Sequence, residues 1–354
     1  MLLVLVLAAG LWGLGWGMKA PVRARLVMIG ILLAGVILEQ LVLPPDHPLR
    51  LATGGSAQVW VVLIGVLALA YGYRAGLRRL KARARPAEAA PEGPFTPAEI
   101  DRYARHIFLR EIGGPGQRAL KEAKVLVVGA GGLGAPSLLY LAAAGVGTIG
   151  VIDDDVVDAT NLQRQVIHTD ARIGMAKVFS AEAAMLALNP FVTVRPYRRR
   201  LTEEIAADLF AGYDLILDGS DNFDTRYLTN RIAAQAGKPL IAAAITQWEG
   251  QISLYDPAHG TPCYECVFPT RPAPGLVPSC AEAGVVGPLP GVMGSMMALE
   301  AVKHLTGAGQ TLRGEMLIFD GLFGESRKLT LSRRADCPVC GTGHGRAAPP
   351  APPV

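Results

Sequence analysis

The segment from residue 124 to residue 155 constrains the fold of this 354-residue chain more than any other. It begins with the apolar run Lys124–Val128, passes through a glycine-rich loop, and continues with a small-residue stretch typical of a helix at residues 135–144. A second apolar run, Thr148–Ile152, ends in three aspartates. Short β-rich runs on either side of a helix are typical of buried parallel strands. The segment therefore predicts a βαβ unit within a Rossmann-like, doubly wound α/β fold whose sheet is mostly parallel.

The glycine-rich loop is suited to hold a nucleotide phosphate. Glycines let the backbone turn tightly and approach the phosphate, whose negative charge favours the N-terminus of the following helix. Asp153 comes 19 residues after Gly134, a spacing at which a strand-end carboxylate can bind ribose hydroxyls. Taken alone, this pattern is also typical of NAD-dependent dehydrogenases. The candidate binding glycines are Gly129, Gly131, Gly132 and Gly134.

The next polar residues favour a triphosphate over a dinucleotide. Asn161, Gln163 and Arg164 follow the acidic strand end, and Lys177 comes three residues after Gly174. Fixed arginine and lysine donors are suited to meet the negative charge that develops on transferring phosphates. We therefore expect these residues to clamp a triphosphate. A solvated helix face is the alternative explanation.

A further strand is predicted at residues 213–218, and acidic residues follow it. Asp221 and Asn222 would lie at the carboxyl edge of a parallel sheet, where ligands bind. Because Mg²⁺ takes one or two carboxylates and completes its shell with water and phosphate, Asp221 is the candidate magnesium ligand. Asp218 and Asp224 are rival ligands, and a helix N-cap is the alternative role for this segment. Strands are also predicted at residues 238–244 and 250–256, and helices at 97–110 and 291–305.

Four of the five cysteines form two Cys-x-x-Cys pairs, Cys263/Cys266 and Cys337/Cys340. In a reducing compartment such pairs are typical of metal knuckles rather than disulfides. Two knuckles make a tetrahedral Cys₄ site, which predicts structural Zn²⁺; an iron–sulfur cluster or a redox dithiol is the alternative. The fifth cysteine, Cys280, is either a nucleophile that forms a thioester or acyl disulfide, or an unreactive loop residue.

The N-terminal part of the chain is strongly apolar. Residues 2–18, 26–43 and 57–73 are each long enough, at about 25–27 Å, to cross a bilayer core. The basic residues between the first two stretches and after the third predict an outside N-terminus and a cytoplasmic remainder. A signal peptide or a buried helical hairpin is the alternative. The net charge of +4 derives partly from this basic cluster, so we expect no nucleic-acid partner.

The predicted domain organisation follows from these boundaries. We expect a membrane region with about three transmembrane helices at residues 1–80, a flexible linker at 81–96, a catalytic domain at 97–344 and a disordered tail at 345–354.

From about residue 97 to residue 341, the chain resembles the bacterial E1-like ThiF/MoeB/HesA superfamily, with molybdopterin-synthase adenylyltransferases as the nearest resemblance. Many ordered motifs carry this similarity. They are Arg102-Tyr103-x-Arg105, Gly129-x-Gly131-Gly132-Leu133-Gly134, Asp153, Asn161-Leu162-Gln163-Arg164-Gln165, Gly174-x-x-Lys177, Asp221-Asn222, Glu249-Gly250-Gln251, both cysteine pairs and Cys280-x-Glu282-Ala283-Gly284.

The resemblance implies an enzyme that uses MgATP to adenylate the C-terminal Gly-Gly carboxylate of a ubiquitin-like sulfur carrier. Such enzymes are homodimers, in which Arg105 would reach the ATP of the other subunit. Asp153 would bind the ribose, and Asn161, Arg164 and Lys177 the phosphates. Asp221 would act in the metal–phosphate region, and Cys280 lies where relatives carry a sulfur-transfer or thioester cysteine. The expected location is the inner membrane, with the catalytic domain in the cytoplasm.

Three competing functions remain open at this level. The carrier could belong to molybdopterin biosynthesis, to thiamine biosynthesis or to another pathway, since a docking surface has no short signature. An NAD(P)-binding oxidoreductase would leave Arg164 and Lys177 without a role. A catalytically idle membrane scaffold would not be expected to retain the full polar set.

Overall fold

The computed structural model describes residues 2–84, 93–272 and 283–341. The chain divides into two compact units, Met1–Glu92 and Gly93–Val354. Two earlier predictions, the disordered tail at 345–354 and the role of Cys280, lie outside the described residues.

The N-terminal unit is helical throughout its described elements. Two of its stretches, Val22–Val42 and Pro48–Leu77, are long and apolar enough to cross a membrane. Only 11% and 12% of their most apolar windows are buried by protein, whereas the core helix of a soluble domain is mostly buried. A third apolar helix is shorter. The helices are α1 (Leu2–Gly17), α2 (Val22–Val42), α3 (Pro48–Thr53) and α4 (Ala57–Ala84).

Helix α4 corrects the predicted linker. It continues through Ala84, so the first four residues assigned to a flexible linker are helical. The run from Arg74 contains leucine, alanine, lysine and arginine, all good helix formers. Their helix propensity favours continuation of α4 past the apolar stretch.

The C-terminal unit alternates helices and strands. Its helices are α5 (Pro97–Ile107), α6 (Gly113–Glu122), α7 (Gly134–Ala144), α8 (Lys177–Leu188), α9 (Glu203–Ala211), α10 (Phe223–Gln235), α11 (Tyr264–Val267) and α12 (Pro288–Thr306). Its strands are β1 (Lys124–Val128), β2 (Thr148–Ile152), β3 (Thr193–Tyr197), β4 (Leu215–Asp218), β5 (Leu240–Ile245), β6 (Glu249–Tyr255), β7 (Glu315–Asp320) and β8 (Glu325–Thr330).

The strands form one sheet in the order β3-β2-β1-β4-β5-β6-β7-β8. The first five are parallel, and β6, β7 and β8 add to the sheet in antiparallel fashion. This arrangement confirms the predicted α/β class with a mostly parallel sheet. Strands β1 and β2 begin and end at the predicted residues.

Both faces of the sheet are covered. Val125 and Val127 of β1 contribute to a core shared with α7, α8 and α12, whereas Leu126 and Val128 contribute to a second core shared with α9 and α10. Successive side chains of a strand point to opposite faces, so a strand buried on both faces is apolar at every position. The apolar run that predicted β1 reflects this double burial.

The order of the strands predicts a ligand-binding crevice at the carboxyl ends of β1 and β4. Strand β1 pairs with both β2 and β4, and the chain reverses its direction of winding between them. In open α/β sheets, ligands bind where the strand order reverses. The glycine-rich loop follows β1 at this point, and the Asp221 segment follows β4.

The predicted helix start before α5 is present. The Thr96 hydroxyl accepts a hydrogen bond from the Glu99 amide, and Thr96 N donates to Glu99 Oε2 at 2.9 Å. This capping box satisfies two otherwise unpaired groups at the helix start. The helix ends at Ile107, three residues before the predicted boundary.

Candidate functional site

The glycine-rich loop lies against the loop that follows β4. The amide of Gly219 donates to the carbonyl of Val128 at 3.0 Å. Gly129 has φ +93°, and a Cβ on Gly134 would lie 1.9 Å from the carbonyl oxygen of Gly129. Only glycine fits at residue 134 without moving the backbone. The loop therefore turns tightly at the start of α7, which leaves its amides and the helix N-terminus beside the crevice.

Asp153 supports the glycine-rich loop directly. Its Oδ2 accepts a hydrogen bond from the amide of Ala130 at 2.8 Å, and its Oδ1 accepts from the amide of Asp155 at 2.8 Å. Burial raises the pKa of Asp153, although both hydrogen bonds and the nearby Lys177 oppose that shift. The carboxylate is thus held at the end of β2, next to the loop. Its role toward a ribose remains a prediction.

Lys177 is the first residue of α8 and is 4% exposed. Its Nζ lies 2.8 Å from Oδ2 of Asp155, whose side chain is 67% exposed. The backbone amide of Lys177 also donates to the carbonyl of Asp155. The ammonium group is therefore fixed at the edge of the acidic strand end. Sequence reasoning identified Lys177 but missed Asp155 as its partner, because the two residues are 22 positions apart.

Two side chains of the Asn161–Gln165 motif lie close to the glycine-rich loop. The Arg164 guanidinium donates to Asn161 Oδ1 at 2.8 Å. A Cβ on Gly132 would lie 3.8 Å from Arg164 Cγ, and a Cβ on Gly131 would lie 3.7 Å from Gln165 Nε2. Gln163 instead faces Gly287, the residue before α12. The motif thus brings Arg164 and Gln165 to the loop, whereas Gln163 points to a different element.

The three acidic rivals after β4 have different surroundings. Asp218 is 1% exposed, and its Oδ1 accepts from the amide of Ser220. Asp224 forms an ion pair with Arg271 at 2.5 Å. Asp221 is exposed and makes no hydrogen bond or ion pair within the described part of the chain. Two carboxylates at this edge can therefore accept a new ligand: that of Asp221, which is exposed, and Oδ2 of Asp218, which is buried without a partner among the described residues.

Asn222 has a structural role at the start of α10. Its Oδ1 accepts from the amide of Thr225 at 2.9 Å, as an N-cap does. The alternative role considered from the sequence is therefore correct for Asn222. The cap ends the loop directly after Asp221 and limits how far that loop can move.

The two arginines of α5 lie in different environments. Arg102 donates to the carbonyl of Leu188 at 2.8 Å and lies over the ring of Phe191. Arg105 is exposed and forms no ion pair with the described residues. Among the described residues, no contact brings Arg105 to the glycine-rich loop of its own chain, and its role toward a second subunit remains a prediction.

One buried histidine next to the loop was missed from the sequence. His168 Nε2 lies 2.9 Å from the carbonyl oxygen of Ala130, and Nδ1 lies 2.9 Å from the hydroxyl of Ser180. The position of His168, three residues after Gln165, is the only signal the sequence offered. A single histidine at such a spacing has no ligand pattern of its own.

The four paired cysteines form one buried cluster, as predicted. Their sulfur atoms all lie within 4.8 Å of one another. Individual distances are 3.6 Å for Cys263–Cys337, 3.3 Å for Cys266–Cys340 and 3.9 Å for Cys263–Cys266. Four thiolates around a tetrahedral Zn²⁺, each about 2.3 Å from the ion, lie about 3.8 Å apart. The donor set and spacing fit zinc, with no ligand position left open for chemistry.

Helix α10 connects this cluster to the loop after β4. Asn230 Nδ2 lies 3.8 Å from Cys263 Sγ, and Asn230 Oδ1 accepts from the amide of Tyr264 at 2.8 Å. One turn earlier in the same helix, Arg226 donates to the carbonyl of Ser220. The cysteine cluster and the crevice are therefore joined by one helix.

Comparison with known proteins agrees with this architecture. The model of the ThiF family matches residues 103–339, and the chain belongs to that family. The resemblance deduced from the sequence motifs is thus confirmed.

Two relatives and one solved structure illustrate the similarity. A sulfur carrier protein adenylyltransferase of Thermus thermophilus is 51% identical over 70% of this chain and 93% of its own length. The probable adenylyltransferase/sulfurtransferase MoeZ of Mycobacterium tuberculosis is 48% identical over 72% of this chain and 65% of its own, so this chain spans less than two thirds of it. The crystal structure of Escherichia coli MccB superposes with a TM-score of 0.60 at 24% identity, over 68% of this chain and 75% of that one, which supports the fold.

Proposed function

We propose that this protein adenylates the C-terminal Gly-Gly carboxylate of a ubiquitin-like sulfur carrier at the expense of ATP, and that it does so in molybdopterin biosynthesis. The observation that carries the proposal is the arrangement at the switch point: a glycine-rich loop, the buried cation Lys177 and the free carboxylate Asp221 lie at or just after the carboxyl ends of three neighbouring parallel strands. The similarity to named carrier adenylyltransferases supports the choice of reaction.

The reaction is a nucleotidyl transfer. A carboxylate oxygen of the carrier attacks the α-phosphorus of ATP and forms a new P–O bond. The bond from the α-phosphorus to the bridging oxygen breaks, and its electron pair leaves with pyrophosphate. This transfer needs little covalent participation by protein side chains, so positioning of the substrates and stabilisation of the developing charge supply most of the rate enhancement.

We assign a separate role in this reaction to each residue of the crevice. The loop amides and the N-terminus of α7 would face the phosphates, and Asp153 would accept hydrogen bonds from the ribose. Lys177 and Arg164 would offset the negative charge that moves toward pyrophosphate. Incoming phosphate oxygens would compete with Asp155 for the Lys177 ammonium, which is already in place.

Two metals fit residues of this chain. The exposed carboxylate of Asp221 suits Mg²⁺, which would shield the phosphate charge. The Cys263, Cys266, Cys337 and Cys340 cluster suits structural Zn²⁺. Both assignments rest on donor chemistry.

The remaining parts of the proposal concern location and assembly. The apolar helices of the N-terminal unit would anchor the protein in the inner membrane as a multi-pass protein, with the catalytic domain in the cytoplasm. The protein would act as a homodimer, with Arg105 reaching the ATP of the second subunit. Exposure of Arg105 is compatible with that role.

Carrier-dependent ATP–pyrophosphate exchange by the full chain in detergent tests the proposed function. The panel contains the small subunit of molybdopterin synthase and the thiamine-pathway carrier, each with its Gly-Gly end and each with that end removed. Exchange with the first alone supports the proposal. Exchange with the second alone keeps the chemistry and replaces the pathway. NADH binding without exchange would replace the proposal with an oxidoreductase.

A further inference from the structure

His168 is 5% exposed and uses both ring nitrogens in hydrogen bonds. The carbonyl oxygen of Ala130 can only accept, so Nε2 carries the proton and donates to it at 2.9 Å. In the neutral ring, Nδ1 then accepts from the hydroxyl of Ser180, also at 2.9 Å. One imidazole thus joins the glycine-rich loop to helix α8.

The loop residue that His168 holds is also held from the other side. Ala130 is fully buried, and its amide donates to Asp153 Oδ2 at 2.8 Å. Its carbonyl has the His168 ring as partner. Both polar groups of Ala130 are therefore fixed by side chains from elements that come later in the chain. Such a contact sets the position of the loop between Gly129 and Gly131.

The other end of the His168 contact sets the position of a cation. Ser180 lies in the first turn of α8, three residues after Lys177, and its carbonyl accepts from the Arg172 guanidinium at 2.9 Å. A shift of α8 along its axis would move the Lys177 ammonium relative to the loop. The bond between His168 and Ser180 opposes such a shift.

The surroundings of the ring favour its neutral form. Burial lowers the pKa of His168, and the cations Lys177 and Arg172 lower it further, against the opposing effect of the Ala130 carbonyl. A neutral ring has one donor and one acceptor, which matches its two partners.

We propose that His168 is a positioning residue that fixes the distance between the glycine-rich loop and Lys177, and thereby the binding of the ATP phosphates. This inference rests on the proposed adenylation. His168 does not contact the reacting atoms in this account. Its effect passes through Ala130 and Ser180.

Two conservative variants separate its two hydrogen bonds. In His168→Gln the side-chain amide can reach the place of Nε2 and donate to Ala130, whereas in His168→Asn the shorter amide can replace only Nδ1. We expect His168→Asn to raise the KM for ATP by roughly ten-fold, equivalent to about 1.4 kcal/mol, with a much smaller change in kcat. His168→Gln should recover most of that loss. His259→Gln is the matched control and should behave as wild type, because His259 lies 2.9 Å from the Asp256 carboxylate and away from the loop.

The assays use the full chain with MgATP and the small subunit of molybdopterin synthase. Hydrogen exchange of the loop around residues 129–134 is followed in parallel, because it does not depend on any activity. Faster exchange in His168→Asn and near wild-type exchange in His168→Gln support the inference even if the wild-type protein adenylates no carrier. A wild-type protein that adenylates no carrier would contradict the proposed function but not the role of His168. Equal KM values and equal loop exchange in the two variants would overturn the role of His168.

Discussion

The ammonium group of Lys177 lies 2.8 Å from the carboxylate of Asp155, and the two side chains differ sharply in exposure, at 6% and 67%. The lysine is thus held in place by protein, while its partner faces solvent. An anionic ligand can replace the exposed Asp155 carboxylate as the partner of the ammonium group. The lysine is already buried, so this replacement does not require it to be buried again. The pair therefore provides a cation that is already positioned for phosphate.

Replacement of Lys177 with alanine tests this relationship. We expect the rate of ATP–pyrophosphate exchange to fall on the order of 100-fold, the scale seen when one fixed donor to a transition-state charge is removed. Lys328→Ala is the matched control, since Lys328 forms a lysine–carboxylate pair of the same 2.8 Å length with Glu315 on the β7–β8 hairpin. A similar loss in both variants would indicate general damage and contradict the assignment.

The glycine-rich loop allows a second prediction, about stability. A methyl group at residue 134 would lie 1.9 Å from the Gly129 carbonyl oxygen, whereas at residue 131 the nearest atom, Gln165 Nε2, would lie at 3.7 Å. We expect Gly134→Ala to lower the free energy of unfolding by about 3 kcal/mol, the upper range of overpacking. Gly131→Ala should change it by less than about 1 kcal/mol. Urea denaturation of the full chain measures both, and equal effects would show that the loop relaxes freely.

The surroundings of His168 predict how stability varies with pH. Because burial, Lys177 and Arg172 lower its pKa in the folded protein, the unfolded chain binds the proton more tightly. The contribution of the neutral ring is complete above the unfolded value of 6.5 and is lost as the pH falls below it. Asp153 has the opposite effect on the pH dependence, because burial raises its pKa in the folded protein. The folded protein then binds the carboxyl proton more tightly than the unfolded chain does, which favours the folded state as the pH falls.

Unfolding measured between pH 5 and pH 8 would check this expectation. The free energy of unfolding of wild type should decline toward pH 5 more steeply than that of His168→Gln, which has no titrating ring. Parallel curves for the two proteins would mean that His168 does not titrate differently in the folded state.

The cysteine cluster leads to a prediction about Asn230. Its amide lies against Cys263 Sγ at 3.8 Å and its carbonyl accepts from Tyr264, so Asn230→Ala should weaken zinc binding by about ten-fold or more. Thr229→Val is the control, because the adjacent Thr229 hydroxyl is buried without a partner among the described residues. Competition with a chromogenic chelator measures the affinity. Equal zinc affinity in both variants would contradict a role for Asn230.

How well the fold could be predicted depended on burial. Strands β1 and β2 lie in the middle of the sheet, are buried on both faces, and were predicted to the residue. Strand β3 at the edge contains Arg195 and Pro196 and is only partly buried, so its residues carry little apolar pattern. Every residue of β8 is exposed, and this strand forms through pairing with β7 alone.

The site residues could be identified from the sequence where they belong to a motif, but most of the contacts that hold them could not. The glycine-rich loop and the Asn161–Gln165 motif were identified because their spacing is itself a pattern. Contacts between distant parts of the chain were missed: Asp155 meets Lys177 across 22 residues, and His168 meets Ala130 of the loop across 38. Helix α10 was missed because Arg226, Thr229 and Asn230 are polar residues on its buried face.

Intact mass spectrometry of a Gly-Gly-ended carrier is the sharpest test of the proposed adenylation. The small subunit of molybdopterin synthase is incubated with the full chain and MgATP and then analysed without a nucleophile. We predict that the carrier gains one AMP at its C-terminal carboxylate, that pyrophosphate is released, and that Lys328→Ala forms the product at the wild-type rate while Lys177→Ala forms it on the order of 100-fold more slowly. A carrier that stays unmodified beside a folded protein that binds ATP would contradict the proposed adenylation.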